Sequence, residues 1–362
     1  MPFMYMKDHL MKCMVQLVCF FGVISTSFGA LDLIDLGTLG GTESFAYAIN
    51  DSGQVIGVAD LAGDKQSHVF LYDKGNLVDL TAIYDIESAN DINEIGQIVG
   101  NMPNGHSGLL SGGVITDLGT FGGIFSSPLG INNLGQVVGY YSLPEFFNHA
   151  ILYSNGVVTN LGPFDDEAIS IATAINDSGM IIGDATHSFT IPYHAFLYSN
   201  GVMTDISPFG SSESYARDIS NSGQVVGEFL LERDMSFHAF LYSNGAFADL
   251  GVQGSPDTTA YAINDHDQVV GTTFVPFEDI CVDPKTGEEY PCTHYKPHAF
   301  LYEKGEIIDL NTLVDRAKPI YEWELTQALD INNKGQIVGY GLVNGKNRAF
   351  LITLPKTLQR LR

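Results

Sequence analysis

Short runs of Val, Ile, Leu, Phe and Tyr alternate with clusters of Asn, Asp, Ser and Gly along most of this chain. No long segment spaces its apolar residues at the helical period, so the pattern predicts short strands joined by tight turns. The runs recur as copies. Ile49-Asn50-Asp51-Ser52-Gly53-Gln54-Val55-Ile56-Gly57 is the first of seven related segments, the others starting at Ile92, Ile131, Ile175, Ile219, Ile263 and Ile331. Their starts lie 43, 39, 44, 44, 44 and 68 residues apart, and the last interval is long because of an insertion.

A second block of the form His-Ala-Phe-Leu-Tyr follows each copy. It starts at His68, His106, His149, His194, His238 and His298, and Arg348 takes the histidine's place in the seventh. A third block of the form Thr-Asp-Leu-Gly follows the second in six copies. The seventh third block is missing at the C-terminus and stands near the N-terminus instead, as Leu33-Ile34-Asp35-Leu36-Gly37. Each unit therefore reads as four strands. Strand A ends near residues 46–50, strand B spans 54–58, strand C is the His-Ala-Phe block and strand D is the third block. The A–B and C–D turns carry Asn or Asp followed by Gly, as tight hairpins with positive φ require. A meander of about 44 residues matches one four-stranded propeller blade. The displaced strand would complete the last sheet and close the ring, removing the unpaired edges of an open array. The expected fold is all-β: a seven-bladed β-propeller with four antiparallel strands per blade, closed by the N-terminal strand in the last blade. One domain covers 30–355.

The first 29 residues have a secretory layout. Lys7 and Lys12 precede an apolar run from Met14 to Ile24, and small residues follow at Ser25, Ser27 and Gly29. The run is too short for a bilayer, which takes about 20 apolar residues, so a cleaved signal peptide over 1–29 is expected. No small residue precedes Cys19, so no lipid anchor is expected. Residues 356–362 read as a basic tail. Cys13 and Cys19 leave with the signal. Cys281 and Cys292 remain, both in the long insertion. In an oxidising compartment they read as a disulfide. A two-cysteine metal site is the weaker reading, since no second ligand pair has zinc spacing.

Composition changes the picture only at its edges. The chain carries 42 acidic and 17 basic residues, a net charge of −25. That field repels phosphate backbones and excludes nucleic acid as a natural partner. Solubility explains the acidity, with cation binding second. A monomer with no transmembrane segment is expected.

The combined His-Ala-Phe and Ile-Asn-x-x-Gly-Gln-Val-Val-Gly blocks resemble the HAF repeat family of extracellular bacterial proteins, over nearly all of 31–354. The resemblance implies a propeller-like bacterial protein outside the cytoplasm, periplasmic or released, and implies no activity. His106-Ser107-Gly108 and Arg348 depart from the pattern, so blades 2 and 7 are expected to be less regular.

Candidate chemistry is sparse. The repeated histidines begin strand C in the outer half of each blade, where local hydrogen bonding is expected. His187, His266 and His294 are scattered. The Asn-Asp turns, including Asp91-Ile92-Asn93 and Asp330-Ile331-Asn332, lack the ligand spacing of a calcium loop and read as side chains bonding their own turns. No nucleophile elbow, zinc-protease motif or phosphate loop is present. Asp165-Asp166-Glu167 is one of several acidic loops without a catalytic pattern. No catalytic residue, metal or cofactor is expected.

Variation between copies falls in the B–C connections, which share a face with the D–A connections. Tyr140, Tyr141, Phe146, Phe147, Phe189, Tyr193, Phe277 and Tyr295 on that face are the ligand-binding candidates, alongside Phe274. They either form a recognition surface or fold back to cap the blades. The leading expectation is a secreted, non-enzymatic binding scaffold for a protein or carbohydrate. The alternatives are a glycan hydrolase or lyase with acidic residues at the channel mouth, and a structural envelope component.

Overall fold

The computed structural model describes residues 32–355, apart from 145–146, 165–168, 188–191, 209–210, 234, 253 and 315–321. The signal peptide, the basic tail and Asp165-Asp166-Glu167 lie outside the described residues.

Seven four-stranded antiparallel sheets form a propeller. Blades 1 to 6 span 40–79, 91–119, 125–160, 170–205, 214–249 and 258–309, and blade 7 spans 323–353 together with 32–35. The strand Asp32–Asp35 pairs with Lys346–Thr353, from Asp32 opposite Thr353 to Asp35 opposite Phe350. The expected closure is therefore present. Among the described residues almost no helix occurs: one turn at Leu80–Tyr84 and one 3-10 turn at Leu310–Thr312 sit in D–A connections.

The repeat motif is explained by contacts within and between blades. The phenylalanines Phe70, Phe196, Phe240, Phe300 and Phe350 are fully buried. Each stands opposite the glycine that ends the first motif: Gly57, Gly183, Gly227, Gly271 and Gly339. A Cβ on Gly183 would lie 2.0 Å from the Ile171 carbonyl oxygen and 2.8 Å from the Phe196 ring. Strand B passes too close to strand A for any side chain there. In blade 2 the phenylalanine is replaced by Gly108, and Met102 lies 3.0 Å from where its Cβ would be. That blade's inner strand is short, Asp91–Ile92. Blade 7 keeps long strands with Arg348 in place, and its inner pair carries two register shifts, between Leu325 and Gln327 and between Ala328 and Asp330.

Apolar clusters bridge neighbouring blades. Ile182, Ala195 and Ile206 of blade 4 pack with Ala216, Val225 and Phe240 of blade 5. Leu36, Val338 and Leu351 of blade 7 pack with Ala46, Val55 and Phe70 of blade 1, so the seam is as well packed as the other junctions.

The A–B turns add a polar ring. Asn50 Oδ1 accepts from Gln54 N at 3.0 Å, as the Asx reading expects. Its Nδ2 also donates to the Asn93 carbonyl of blade 2. Asn93, Asn132, Asn176, Asn264 and Asn332 repeat this bond to the next blade, and Asn332 reaches Asn50 across the seam at 2.9 Å. Ser220 interrupts the series. A second ring is complete: the backbone N–H groups of 51, 94, 133, 177, 221, 265 and 333 each donate to the side chain of the next blade's equivalent, at 2.7–3.0 Å.

Three inner strands carry an aspartate before the motif isoleucine. Asp330 accepts from Ile331 N and from Ile49 N of the next blade, both at 2.7 Å. Asp91 and Asp218 do the same with Ile92 and Ile131, and with Ile219 and Ile263. Burial pushes Asp91 up to about 7, Asp218 up to about 6 and Asp330 well above the carboxylate range, and neighbouring charge adds to this: Asp218 acts on Asp91 and Asp330, and Asp265 acts on Asp218. A carboxyl raised by folding stabilises fully below its unfolded value near pH 4, and that stabilisation is lost as pH rises through the folded value. The melting temperature is therefore expected to fall between about pH 5 and pH 8. The ceiling on the slope is ~1.4 kcal/mol per group per pH unit. Asp330→Asn is expected to flatten the profile, and a melting temperature rising with pH across this window would contradict the assignment.

Candidate functional site

The repeated histidines resolve into clamps between strands C and D. His68 pairs with Asp79, His106 with Asp117, His194 with Asp205, His238 with Asp249 and His298 with Asp309, at Nδ1–carboxylate distances of 2.7–3.0 Å. Blade 7 substitutes Arg348 and Asp35, 3.0 Å apart. Several of these aspartates also accept from the backbone two residues on, as Asp117 does from Gly119 N. That bond and His106 hold the Asp117 carboxyl below its usual value. Blade 3 has Asn160 in place of the aspartate. There His149 stacks 5.4 Å from Tyr141, and burial lowers its pKa. The local hydrogen bonding expected of the repeated histidines is present at five of them, and His149 Nδ1 is buried without a hydrogen-bond partner.

The predicted aromatics divide into two groups. Tyr140 lies half-buried against Phe125, and burial raises its phenol pKa. Tyr141 accepts a bond from Asn160 Nδ2. Tyr193 packs 5.9 Å from Tyr215, and Phe147 is half-buried. These four fold back onto their blades. Phe146 and Phe189 lie outside the described residues. Phe277 and Tyr295 stand out into solvent.

Both belong to an arm that the insertion builds. Strands Val269–Val282 and Glu289–Glu303 run on past blade 6 as a hairpin, paired without a break from Phe274 opposite Pro297 to Val282 opposite Glu289. At its tip Gly287 adopts φ +75°, and its N–H donates to the Asp283 carbonyl. The expected disulfide joins Cys281 and Cys292 near the tip. Isolated two-stranded hairpins are marginal in water, so the covalent link holds the arm's register. Ile280 is 65% exposed and Tyr290 49%, and they point to opposite faces of the ribbon.

A cleft of about 580 Å³ opens at the base of the arm, between blades 6 and 7. Trp323, Lys296, His298, Asn311, Glu322 and Glu324 line it. Lys296 Nζ meets Glu324 Oε1 at 2.7 Å, and His298 Nε2 lies 3.5 Å from the same oxygen. Sequence reading missed this cleft. The lone tryptophan was its one available signal.

The ring axis was also unread. In six blades the inner strand has a β-bulge that skips one residue: 47, 129, 173, 217, 261 or 329. Residues 47, 90, 129, 173 and 217 share one axial cavity of about 310 Å³. Beside it Arg217 pairs with Glu228 and lies over the Tyr215 ring, and Glu228 also accepts from Thr259. Asp184 of this group is pushed up to about 7 by burial.

Comparison with known proteins fits this geometry. Residues 148–250, the outer two strands of blade 3 with blades 4 and 5, match a family model described as a protein of unknown function, DUF3466. No curated protein sequence matches the chain. Among solved structures, an oligogalacturonate lyase in complex with manganese is similar at 11% identity with a TM-score of 0.54, covering 92% of this chain and 96% of its own. A puromycin-hydrolyzing peptidase from Mycobacterium tuberculosis is similar at 9% identity with a TM-score of 0.50, covering 84% of this chain. This chain spans about half of that peptidase's length, 49%. At these identities the likeness is one of fold alone. Among the described residues, no helix is long and apolar enough to cross a membrane.

Proposed function

We propose that this protein is a secreted, non-catalytic binding propeller of the HAF-repeat kind, which takes a protein or carbohydrate partner on its long-loop face. The observation that carries this reading is the arm. It exposes Phe277, Ile280, Val282, Tyr290 and Tyr295 on a ribbon that contributes nothing to the propeller core. Apolar groups gathered this way on a soluble protein mark an interaction surface. The disulfide fits an oxidising compartment. Beneath the arm, Trp323 offers a stacking face beside acid, amide and amine groups, a combination suited to sugar rings.

The enzyme reading has the weaker support. The carboxylates on the ring axis have both oxygens engaged by backbone N–H groups, which leaves Asp91, Asp218 and Asp330 poor candidates for acid–base work.

The test replaces residues 276–295 by Asn-Gly, joining Val275 to Lys296, which face each other in the hairpin. The shortened protein is expected to keep its melting temperature within a few degrees and to lose binding on a polysaccharide and protein panel. Undiminished binding would remove the arm from the site. Release of unsaturated products from polygalacturonate by the intact protein would overturn the non-catalytic assignment.

A further inference from the structure

Blade 4 has a second imidazole at its clamp. Among the described residues, two groups bring three metal-type donors within 4.8 Å of one another. In one, Cys281, Cys292 and His294, both sulfurs are spent on the disulfide. The other is His187, His194 and Asp205.

The second group is held in place from several sides. Asp205 sits on strand D opposite Phe196, and its Oδ1 accepts from Ser207 N at 2.8 Å. Its Oδ2 faces both imidazoles, 2.9 Å from His194 Nδ1 and 3.5 Å from His187 Nε2. His187 follows strand B. Thr186 just before it is fixed by bonds in both directions with Ile169, at 2.9 Å and 3.1 Å. Phe164 lies flat against the His187 ring, centroids 4.5 Å apart and planes 13° off parallel.

We propose that His187 Nε2, His194 Nδ1 and Asp205 Oδ2 form a zinc-binding site on the loop face of blade 4. Bonds of about 2.0–2.1 Å to tetrahedral zinc place ligand atoms about 3.3 Å apart. The observed 2.9 Å and 3.5 Å bracket that edge. Two imidazoles and one carboxylate are a zinc-type donor set, whereas magnesium and calcium prefer oxygen alone. With three protein ligands the fourth position is left to water or to a ligand group. The ion would take the place of the hydrogen on His194 Nδ1, which the neutral imidazole then carries on Nε2. The site is independent of the arm and of the binding reading above.

The experiment is calorimetric titration of zinc into the mature, oxidised protein, with excess magnesium present to fill generic acidic sites. One equivalent is expected to bind with a saturable heat. His187→Gln keeps the His194–Asp205 clamp and is expected to weaken binding by at least on the order of 100-fold. His238→Gln alters the same clamp in blade 5 and is expected to leave zinc binding unchanged. Circular dichroism confirms that both variants fold. Absence of saturable zinc binding, binding that survives His187→Gln, or equal loss in His238→Gln would each overturn the site.

Discussion

Removing residues 30–36 from the mature chain is expected to abolish cooperative folding. The lost segment is small, but it carries strand D of blade 7. Leu36 lies in the cluster that joins blade 7 to blade 1, and Leu33 packs on the cluster that joins blade 6 to blade 7. Losing both side chains removes about 3 kcal/mol of apolar burial. The Arg348–Asp35 pair goes too, leaving Arg348 half-buried and without its carboxylate. The edge of Lys346–Thr353 is then unpaired, a template for other chains. Since whole-domain stability is typically about 5–15 kcal/mol, aggregation is expected in place of a shifted melting point. The matching rescue is a circular permutant. Thr353 faces Asp32 in the register, as Ser154 faces Val157 across the Asn155-Gly156 turn. Joining Thr353 to Asp32 by Asn-Gly, with new ends opened in an exposed loop elsewhere, is expected to restore a soluble protein with a cooperative melt. Size-exclusion chromatography and thermal melting of both proteins decide the matter, and a truncated chain that melts like the intact one would refute the closure.

Gly183→Ala is expected to cost on the order of 3 kcal/mol, the upper part of the overpacking range. One methyl group would meet the Ile171 carbonyl at 2.0 Å and the Phe196 ring at 2.8 Å. Neither gives way readily, because the carbonyl belongs to the strand pairing and the ring is fully buried. Gly201→Ala serves as the comparison. Gly201 has φ +81° and open space where a Cβ would lie. Only left-handed backbone strain then opposes the methyl, worth about 1–2 kcal/mol. Urea unfolding midpoints for the two variants are expected in that order. Equal losses would mean that the close approach of strands A and B does not set the cost at Gly183, whose backbone has no left-handed strain of its own.

Both predictions rest on features that were written along the chain, and the reason is physical. Regular repetition forces each copy to solve the same packing problem, so the glycine recurs wherever strand B crowds strand A, while the phenylalanine opposite it gives way to Gly108 in blade 2 and Ile151 in blade 3. Copy 2, with Gly108, shows the converse: the cavity is refilled by Met102, a residue outside the motif. The disulfide was legible because Cys281 and Cys292 are the only cysteines left after the predicted signal. The aromatic candidates were legible only as loop residues. Whether an aromatic on a loop turns in or out depends on its neighbours: Tyr141 turned back onto His149, while Tyr295 stayed about half exposed on the arm.

What the sequence by itself determined is the architecture: the blade count, the strand order within a blade, the displaced strand that closes the ring, and the division between a tight-turn face and a loop face. These follow from local periodicity and turn chemistry, which act over a few residues. Only the tertiary structure decided which distant side chains meet. The axial cavity draws one residue from each of five blades, and the cleft sets Lys296 and His298 beside Trp323 across a blade junction. His187, one scattered histidine among several, gains its partners because Phe164 and the blade 4 clamp lie beside it in space. Such convergence depends on how a blade twists and bulges, and no short-range pattern in the chain records it.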